Sequence, residues 1–453
     1  MSRIRTLARF ATGTTFAALP AEVVAKAKEL ARHSWGVQLA ASTLPWSSLV
    51  HRVAAAEGGT PESTVVNHGG KIPAAGAAFV NGSFAHGFEL DDNHARTGVK
   101  VGCVAVPTAL AIGERHRSDG RDVITALAVG CELMVRVGLA IRHGRTRRGG
   151  HATGTAGALG AAAVVAVLSG FDEDTCAQAL AGAARHVIGS TEAPPQGRGH
   201  LKRTFGGAAA AGGIRAALLA EAGLTGPESM LDDGCGLFRA FDVDTESAAA
   251  LTRDLGRTWE FLDAHYKIYA QDGYIQPMSE ALERIRVSHD FAVEEVDEVV
   301  VGTNSHAYHD IVGRIRDPRD LTDAQFSANF SVALHLVTGG AGIDEYTPDN
   351  LHDPAIRALS ERVRLHIDDD IEQDFQATRP RGARVTVRLR SGRSLQATVR
   401  NLREQTPAEL DEKFLRLSAR VLSQPARERL LADTHRLQEN SDITSIARQL
   451  VRD

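Results

Sequence analysis

The chain has 453 residues, of which 43% are hydrophobic and 24% are charged, a composition typical of an ordinary globular protein. This length exceeds the roughly 250–300 residues at which a single hydrophobic core stops growing, so we expect at least two domains. The formal net charge of -5 at pH 7 argues against a nucleic-acid partner, because neutralising phosphates requires a basic surface.

The N-terminus, the apolar segments and the cysteines indicate where the protein acts. The first ten residues lack the continuous apolar stretch of a signal peptide. Apolar runs such as residues 158–168 are too short and too rich in Gly and Ala for a membrane span. We therefore expect a cytoplasmic protein that does not bind membranes. Its four cysteines have no C-x-x-C spacing and lie among apolar or small residues, which indicates reduced, buried thiols: Cys103, Cys131, Cys176 and Cys235.

Residues 1–255 have the pattern of an almost wholly helical protein. Pro20 stands at the favoured first position of a helix, and the apolar residues over 21–31 repeat at helical spacing. A turn at residues 118–122 leads into an apolar helix over 123–140.

Two further segments, 153–168 and 208–222, are unusually rich in Ala and Gly. Small side chains let helices approach closely, so we expect these two helices at the centre of a tightly packed bundle. Gly223 stands where the second of them should end.

The pattern changes after about residue 265. Residues 277–286 predict a short helix and residues 296–301 a strand. Residues 384–390 and 393–400 alternate with period two about a Ser-Gly turn, which predicts a β-hairpin. These elements indicate a smaller α+β domain, after which a helical pattern returns.

Residues 86–94, His-Gly-Phe-Glu-Leu-Asp-Asp-Asn-His, contain three carboxylates, two imidazoles and one amide. A solvated loop between two helices would be the simplest explanation, because charged residues are rarely buried unless they are paired. The segment before this cluster is nearly uncharged, however, and residues 104–112 after it predict a buried helix. Acidic and basic groups between two core segments favour a pocket.

The same region resembles the MmgE/PrpD family, through Asn81-Gly, Ala85-His86, Asp91-Asp92 and the apolar helix that follows. The resemblance continues in order to near residue 425, which specifies the family but not the reaction, since family members dehydrate, decarboxylate or epimerise small polycarboxylates. Three later segments resemble family motifs: 150–158 is similar to G-F-H-P-T-G-T-A-G-A, 201–220 to T-K-P-L-H-x-G-x-A-A-x-x-G, and 265–277 to K-x-Y-P-x-C-x-x-x-H-P.

The resemblance implies a mainly α fold. A large all-helical domain would comprise residues 1–265 and 401–453, with a smaller α+β lid domain, residues 266–400, inserted before the C-terminal helices. The active site would lie in the cleft between the two domains. The resemblance also implies a homodimer.

The resemblance further implies that Lys202 and Lys267 face the carboxylates of a small anionic substrate and that His151 is an active-site residue. Taken alone, the two lysines would be read as surface residues and the histidine as structural. The substrate-binding role that the resemblance implies agrees with the chemistry, because a lysine in a low-dielectric cleft holds a carboxylate more strongly than it would in water. His151 also precedes a helix, whose N-terminus attracts anions.

The acid–base residues depart from the family pattern. Glu89 stands in place of an aspartate, Asn93 in place of a threonine, and Lys100 in place of the favoured acid–base histidine. Because the intervening segment differs in register, His94 could supply an imidazole instead. Lys100 is then either a proton-transfer group with a pKa lowered by burial or a further charge clamp, and in the second case Glu89, Asp92 or His94 transfers the proton.

The α+β domain departs from the pattern as well. Phe330 aligns with a tyrosine that faces the substrate in decarboxylases, Asp272 with a cysteine, and Gln276 with a histidine. We expect Asp272 and Phe330 to line the substrate site together with Tyr269 and Tyr274.

We expect neither a metal nor a cofactor. No H-E-x-x-H or comparable ligand spacing appears, and the family chemistry implied by the resemblance needs no metal. The glycine pairs at 206–207 and 212–213 do not follow an apolar strand and form no G-x-G-x-x-G motif.

Three functions fit these residues. The first is a cofactor-independent lyase that removes water or CO₂ from a small di- or tricarboxylate of the citrate or aconitate type. The second is an isomerase or epimerase on an amino- or imino-dicarboxylate, which the replacement of the family histidine by Lys100 favours. The third is a polycarboxylate-binding relative without catalytic activity, which the substitutions at Lys100, Asp272 and Phe330 suggest.

Overall fold

The computed structural model describes residues 2–186 and 199–452, and this part of the chain is mainly helical, as predicted. The helices of the N-terminal part are α1 (Arg3–Gly13), α2 (Ala21–Ala41), α3 (Pro45–Ala56), α4 (Ala74–His86), α5 (Gly102–His116), α6 (Gly120–Arg147), α7 (Ala152–Leu168), α8 (Glu173–Ala183), α9 (Phe205–Glu221), α10 (Gly236–Ala240) and α11 (Thr245–Ala248).

The N-terminal helices form a helical body, and α6 lies at its centre. It begins after Asp119, whose carboxylate accepts hydrogen bonds from the backbone N–H groups of Arg121 (2.8 Å) and Asp122 (2.9 Å) and so satisfies donors at the helix start. By length and composition, α6 could cross a membrane, but 94% of its most apolar stretch is buried inside the protein.

The Ala- and Gly-rich helices pack at close range, as predicted. A Cβ added at Gly207 of α9 would lie 2.0 Å from the Phe79 carbonyl oxygen of α4, and one added at Gly213 would lie 2.3 Å from the Ala158 oxygen of α7. Only glycine fits at such distances, because interiors have no spare space. Gly223, with φ of 94°, follows the end of α9 in the left-handed conformation expected there.

The helical body also contains two antiparallel ribbons that the sequence analysis did not predict. Strands this short have too few residues to show a period-two pattern. The second ribbon is important for the site, because it joins residues 92–94 to residues 264–266. The first ribbon pairs β1 (Ser63–Thr64) with β2 (Lys71–Ile72), and the second pairs β3 (Asp92–His94) with β4 (Ala264–Tyr266).

The smaller body has a four-stranded sheet in the order β6-β5-β7-β8. Strands β5 and β6 are parallel, whereas β7 and β8 form the predicted hairpin, with Gly392 at φ of 87° in its turn. The elements are α12 (Gln276–Ser288), β5 (Val296–Thr303), α13 (Leu321–Gln325), α14 (Ala328–Thr338), α15 (Pro348–His352), α16 (Pro354–Ser360), β6 (Val363–Ile367), α17 (Asp369–Thr378), β7 (Ala383–Leu389) and β8 (Ser394–Val399).

In the part of the chain that the structure describes, buried apolar residues form two large cores and one small one. One large core belongs to the helical body, and the other lies mostly within residues 269–399. The chain then returns to the helical body, where α18 packs on α2, so that a Cβ added at Gly36 would lie 3.2 Å from the Phe414 ring. The C-terminal helices are α18 (Pro407–Ser418), α19 (Gln424–His435) and α20 (Thr444–Gln449).

Three of the four cysteines are buried and all four are free, as expected for reduced thiols. Cys235 differs from the expectation because it is only half-buried.

Candidate active site

The segment between α4 and β3 is held in place by alternating side chains. Phe88 and Leu90 are buried in the core of the smaller body, whereas Glu89 and Asp91 pair with lysines. Glu89 has φ of 54°, a left-handed conformation that costs a non-glycine residue roughly 1–2 kcal/mol. The burial of its two neighbours therefore fixes the direction of its carboxylate.

Two buried lysines converge on the Glu89 carboxylate. Lys267 Nζ donates to Oε2 at 2.8 Å, and Lys202 Nζ pairs with Oε1. Lys267 Nζ also lies 3.0 Å from Asp91 Oδ1. These four side chains are at most 9% exposed, so their charges interact more strongly than they would in water. The site therefore holds a carboxylate between two ammonium groups.

His86 and Asp91 form a second buried pair, which the sequence analysis missed. His86 Nδ1 lies 2.7 Å from Asp91 Oδ2, and neither side chain is more than 1% exposed. Burial lowers the pKa of His86 to about 4 despite the opposing effect of Asp91. The neutral ring donates from Nδ1 to the carboxylate, and within the described residues its Nε2 has no hydrogen-bond partner. This nitrogen is thus a proton acceptor beside the charged cluster.

His151 lies beside His86, with ring centroids 5.5 Å apart. Its Nδ1 accepts a hydrogen bond from the backbone N–H of Gly154 at 3.2 Å, which caps α7. Its ring also packs on Phe205, at 4.4 Å between centroids. Burial, together with His86, lowers the pKa of His151 well below its ordinary value. His151 therefore lies at the site as a neutral group fixed by the start of α7.

Lys100 joins the cluster through the loop before α5. Its backbone N–H donates to Thr153 Oγ1 at 3.0 Å, and its Nζ donates to the Gly98 carbonyl oxygen at 3.3 Å. Burial lowers the pKa of Lys100 from its ordinary value, although the charge of Asp91 opposes this shift. Lys100 is therefore an ammonium group of increased acidity close to the His86 and Asp91 pair.

Asp92 has a structural function. Its Oδ2 accepts from the backbone N–H of Val101 at 2.8 Å, and its Oδ1 accepts from that of Gly102 at 2.9 Å, so both oxygens hold the start of α5. A Cβ at Gly102 would lie 2.5 Å from Oδ1. Burial, with Asp91 as a further cause, raises the pKa of Asp92 to about 6. Asp92 thus holds the start of α5 with both oxygens, and its predicted part in proton transfer stays a prediction.

His94 is also occupied by structural contacts. Its Nδ1 lies 3.0 Å from Thr97 Oγ1 and its Nε2 lies 3.1 Å from the Glu260 carbonyl oxygen. The next side chain along β3, Asn93, accepts from Arg381 Nη1 and Nη2 at 3.1 and 3.0 Å when its amide oxygen faces the guanidinium. With both ring nitrogens engaged, His94 has no free position for proton transfer.

Asp272 and Tyr274 border the cluster from the smaller body. Burial opposes the ionisation of Asp272, yet Lys267 and the backbone N–H of Tyr274, which donates to Oδ1 at 2.9 Å, hold the pKa of that carboxyl below its ordinary value. The Arg381 guanidinium lies 5.1 Å from the centroid of the Tyr274 ring. Asp272 therefore interacts with the charge of Lys267, and the substrate contacts predicted for Asp272 and Tyr274 stay predictions.

Two expected contacts lie elsewhere. The Tyr269 ring packs on His335 at 5.6 Å, and Phe330 lies below Arg357 in the core of the smaller body. Phe326 is an aromatic side chain that does contact the cluster, since its ring centroid is 4.6 Å from Lys202 Nζ. Phe330 is buried in that core, so the substrate contact expected of it is not visible in the structure.

A metal fits this site poorly. His86, Asp91 and Cys103 offer ligand atoms within 4.8 Å of one another. Lys267 already neutralises Asp91, however, and burial raises the pKa of the Cys103 thiol well above its ordinary value. A metal ion would have to displace the ammonium group and deprotonate this thiol.

Comparisons with known proteins agree with this architecture. The chain is 26% identical to the cis-aconitate decarboxylase-like protein oryM of Aspergillus oryzae, over 94% of this chain and 93% of that one. It is 24% identical to the cis-aconitate decarboxylase of Aspergillus terreus, over 84% of this chain and 81% of that one, and 25% identical to the human enzyme of the same name, over 82% and 78%. Residues 5–248 match the MmgE/PrpD N-terminal domain and residues 269–437 match the MmgE/PrpD C-terminal domain, so the chain belongs to the MmgE/PrpD family.

Proposed function

We propose that the protein is a cofactor-independent lyase that acts on a di- or tricarboxylate of the aconitate type. One observation carries the proposal: a carboxylate, that of Glu89, is held between Lys202 and Lys267 beside the His86 and Asp91 pair. The names of the relatives make loss of CO₂ the first reaction to test and loss of water the second.

A substrate carboxylate that took the place of Glu89 would meet the same two ammonium groups. When CO₂ or a proton leaves a neighbouring carbon, negative charge develops on that carboxylate, and Lys202 and Lys267 would stabilise it. Fixed charges in a buried site are usually the largest catalytic contribution, because they need no reorganisation during the reaction.

The proton-transfer groups follow by elimination. Asp92 and His94 are engaged by backbone groups and Glu89 by the lysines, which leaves Lys100, His86 and its neighbour His151. In a decarboxylation the bond to the leaving carboxylate breaks, its electron pair enters the conjugated system, and a carbon takes up a proton. We assign that proton to the Lys100 ammonium group, whose acidity burial increases. In a dehydration, His86 Nε2 would remove the proton from the carbon beside the carboxylate, a double bond would form as the C–O bond on the next carbon breaks, and the Lys100 ammonium group would protonate the departing hydroxyl to give water.

The test is incubation with cis-aconitate, citrate and 2-methylcitrate, followed by mass spectrometry of the products. We expect loss of CO₂ from cis-aconitate, and we expect Lys267→Ala to abolish it. Lys28→Ala is the matched control, since Lys28 contacts His435 and Gln438 away from the site. The lyase proposal would be contradicted if the protein converted none of the three acids. If such acids nevertheless raised the melting temperature, the protein would be a binding relative.

An isomerase or epimerase is the second candidate, and the presence of two separate proton-transfer groups favours it. His86 Nε2 can accept a proton while Lys100 donates one, as exchange of a proton between two faces of a carbon requires. In D₂O such an enzyme would place deuterium beside a carboxylate of an amino- or imino-dicarboxylate without loss of water or CO₂. Absence of exchange in every such acid would dismiss this candidate.

A further inference from the structure

An open cleft of about 690 Å³ lies between the end of α6 and the segment that follows α17. Its described wall contains no aspartate or glutamate. We call it the arginine-rich cleft, because six arginines line it: Arg96, Arg142, Arg145, Arg147, Arg379 and Arg381.

Most of this charge is not compensated. Arg96 pairs with Glu260 and Asp263, but within the described chain none of the other five guanidinium groups lies within 4.0 Å of a carboxylate. Burial and the neighbouring charges of Arg379 and Arg96 lower the pKa of Arg142 from its ordinary value. The cations therefore repel one another.

Helix ends do not account for the cluster. The arginines lie near the C-termini of α6 and α17, where cations are favoured. Each helix end supplies only roughly half a negative charge, so two ends offset about one of the five uncompensated cations. Most of the positive charge of the cleft therefore remains for a ligand.

The cleft leads to the candidate active site. Arg381 lines it and also donates to Asn93, while Gly98 in its wall accepts from Lys100 Nζ. Tyr274, which borders Asp272, is a further wall residue. An anion in the cleft is thus one residue away from Lys100, Asn93 and Asp272 of the candidate site.

We propose that the arginine-rich cleft is an anion-binding vestibule that captures a tricarboxylate and passes it to Lys202 and Lys267. This inference rests on the proposed function and narrows its substrate class. Asp91 and Glu89 already engage the two buried lysines, so three substrate carboxylates need positive charge beyond the inner site. An arginine guanidinium group can form two parallel hydrogen bonds to one carboxylate. A cationic cleft also raises the local concentration of an anion and its rate of binding.

The test uses propane-1,2,3-tricarboxylate, a saturated acid with the required charge, and isothermal titration calorimetry. The test variant carries Arg142→Gln and Arg379→Gln together. Arg148→Gln is the matched control, because Arg148 is exposed near the same helix end, pairs with Asp242 and does not line the cleft. Titrations at an ionic strength of about 0.01 M and at about 0.15 M separate long-range attraction from contact.

At low ionic strength we expect the double variant to bind the acid about tenfold more weakly than the wild type. We also expect its affinity to depend less on salt, and the control to match the wild type. Equal affinities in all three proteins would overturn the proposal, as would inorganic phosphate binding more tightly than the tricarboxylate through the same arginines.

The calorimetry does not depend on turnover. If the protein converts no acid but the affinities differ as expected, the proposed function fails and the vestibule stands. If it converts an acid and the three affinities are equal, only the vestibule fails.

Discussion

The Nδ1 atom of His86 lies 2.7 Å from Oδ2 of Asp91, in a pair that is almost completely buried. The carboxylate also lies 3.0 Å from the ammonium group of Lys267. Asp91 therefore links the group that accepts a proton to the group that holds the anion. A buried carboxylate on one nitrogen fixes the ring orientation and leaves the other nitrogen as the base.

His86→Asn should reduce turnover, because it removes the Nε2 acceptor. We expect kcat to fall about 10²–10⁴-fold, the usual contribution of a positioned proton-transfer group. The measurement is steady-state kinetics on the acid that the wild type converts, with circular dichroism to confirm folding.

The chain offers a matched control for this change. His435 Nε2 lies 2.9 Å from Asp411 Oδ2 in an exposed histidine–aspartate pair, so His435→Asn should leave kcat unchanged. If His86→Asn retains kcat within a few-fold of the wild type, Lys100 alone performs the proton transfer.

Asp92→Asn should affect stability rather than chemistry. An amide has one oxygen, so its NH₂ group would face a backbone donor at the start of α5 and leave it unsatisfied. We expect a loss of about 1–3 kcal/mol in the free energy of unfolding, as for other buried donors without a partner. Urea denaturation followed by circular dichroism measures this loss.

Asp119→Asn is the control, because asparagine at the position before a helix caps it about as well as aspartate does. If Asp92→Asn folds with wild-type stability but loses turnover, Asp92 takes part in the proton transfer after all.

The helices could be predicted from the sequence because their signals are local. Apolar periodicity, Pro20 before α2 and Gly223 after α9 specify these elements without tertiary contacts. The β3–β4 ribbon could not be predicted. It joins Asn93 to His265 across the chain, and strands of three residues are too short to show periodicity.

The candidate site was predictable in part. The resemblance identified Lys202 and Lys267, and the sequence has only seven lysines, of which three, those two and Lys100, lie at the site. It missed Asp91 and His86, because a histidine next to an acidic run has no distinctive spacing. Their roles depend on which oxygen faces which donor, and tertiary structure alone determines that.

Acidification should destabilise the protein. Burial is the main cause of the lowered pKa values of several histidines, among them His86, His94 and His335, each lowered to about 4, and His265, lowered to about 3. In the unfolded chain each titrates near 6.5. Between pH 6.5 and the lowered pKa values the unfolded chain therefore binds more protons, so stability falls as the pH falls.

Asp92 acts in the opposite direction. Its pKa of about 6 exceeds the ordinary 3.8, so the folded chain binds the extra proton between these values. These histidines outweigh one carboxyl, and we expect the melting temperature to fall by roughly 5–10 °C between about pH 7 and about pH 5. His335→Gln should reduce this slope, and a melting temperature that rises on acidification would contradict the assignment.

Glu89→Gln should tighten anion binding and weaken the fold at the same time. In the wild type an incoming carboxylate competes with Glu89 for Lys202 and Lys267. Removing that charge leaves the two ammonium groups free to bind propane-1,2,3-tricarboxylate, and we expect an affinity about tenfold higher by calorimetry, equivalent to about 1.4 kcal/mol. The melting temperature should fall, because two buried cations lose their partner.

A variant that is merely misfolded would bind the tricarboxylate more weakly. Higher affinity together with a lower melting temperature therefore indicates competition between Glu89 and the substrate. Glu132→Gln is the matched control: Glu132 is as deeply buried, lies 2.6 Å from Arg136 and is held by the Phe261 backbone N–H within the helical core. That change should lower the melting temperature without altering the affinity for the tricarboxylate. Weaker binding in Glu89→Gln would instead mean that Glu89 positions the two lysines for the substrate and does not compete with it.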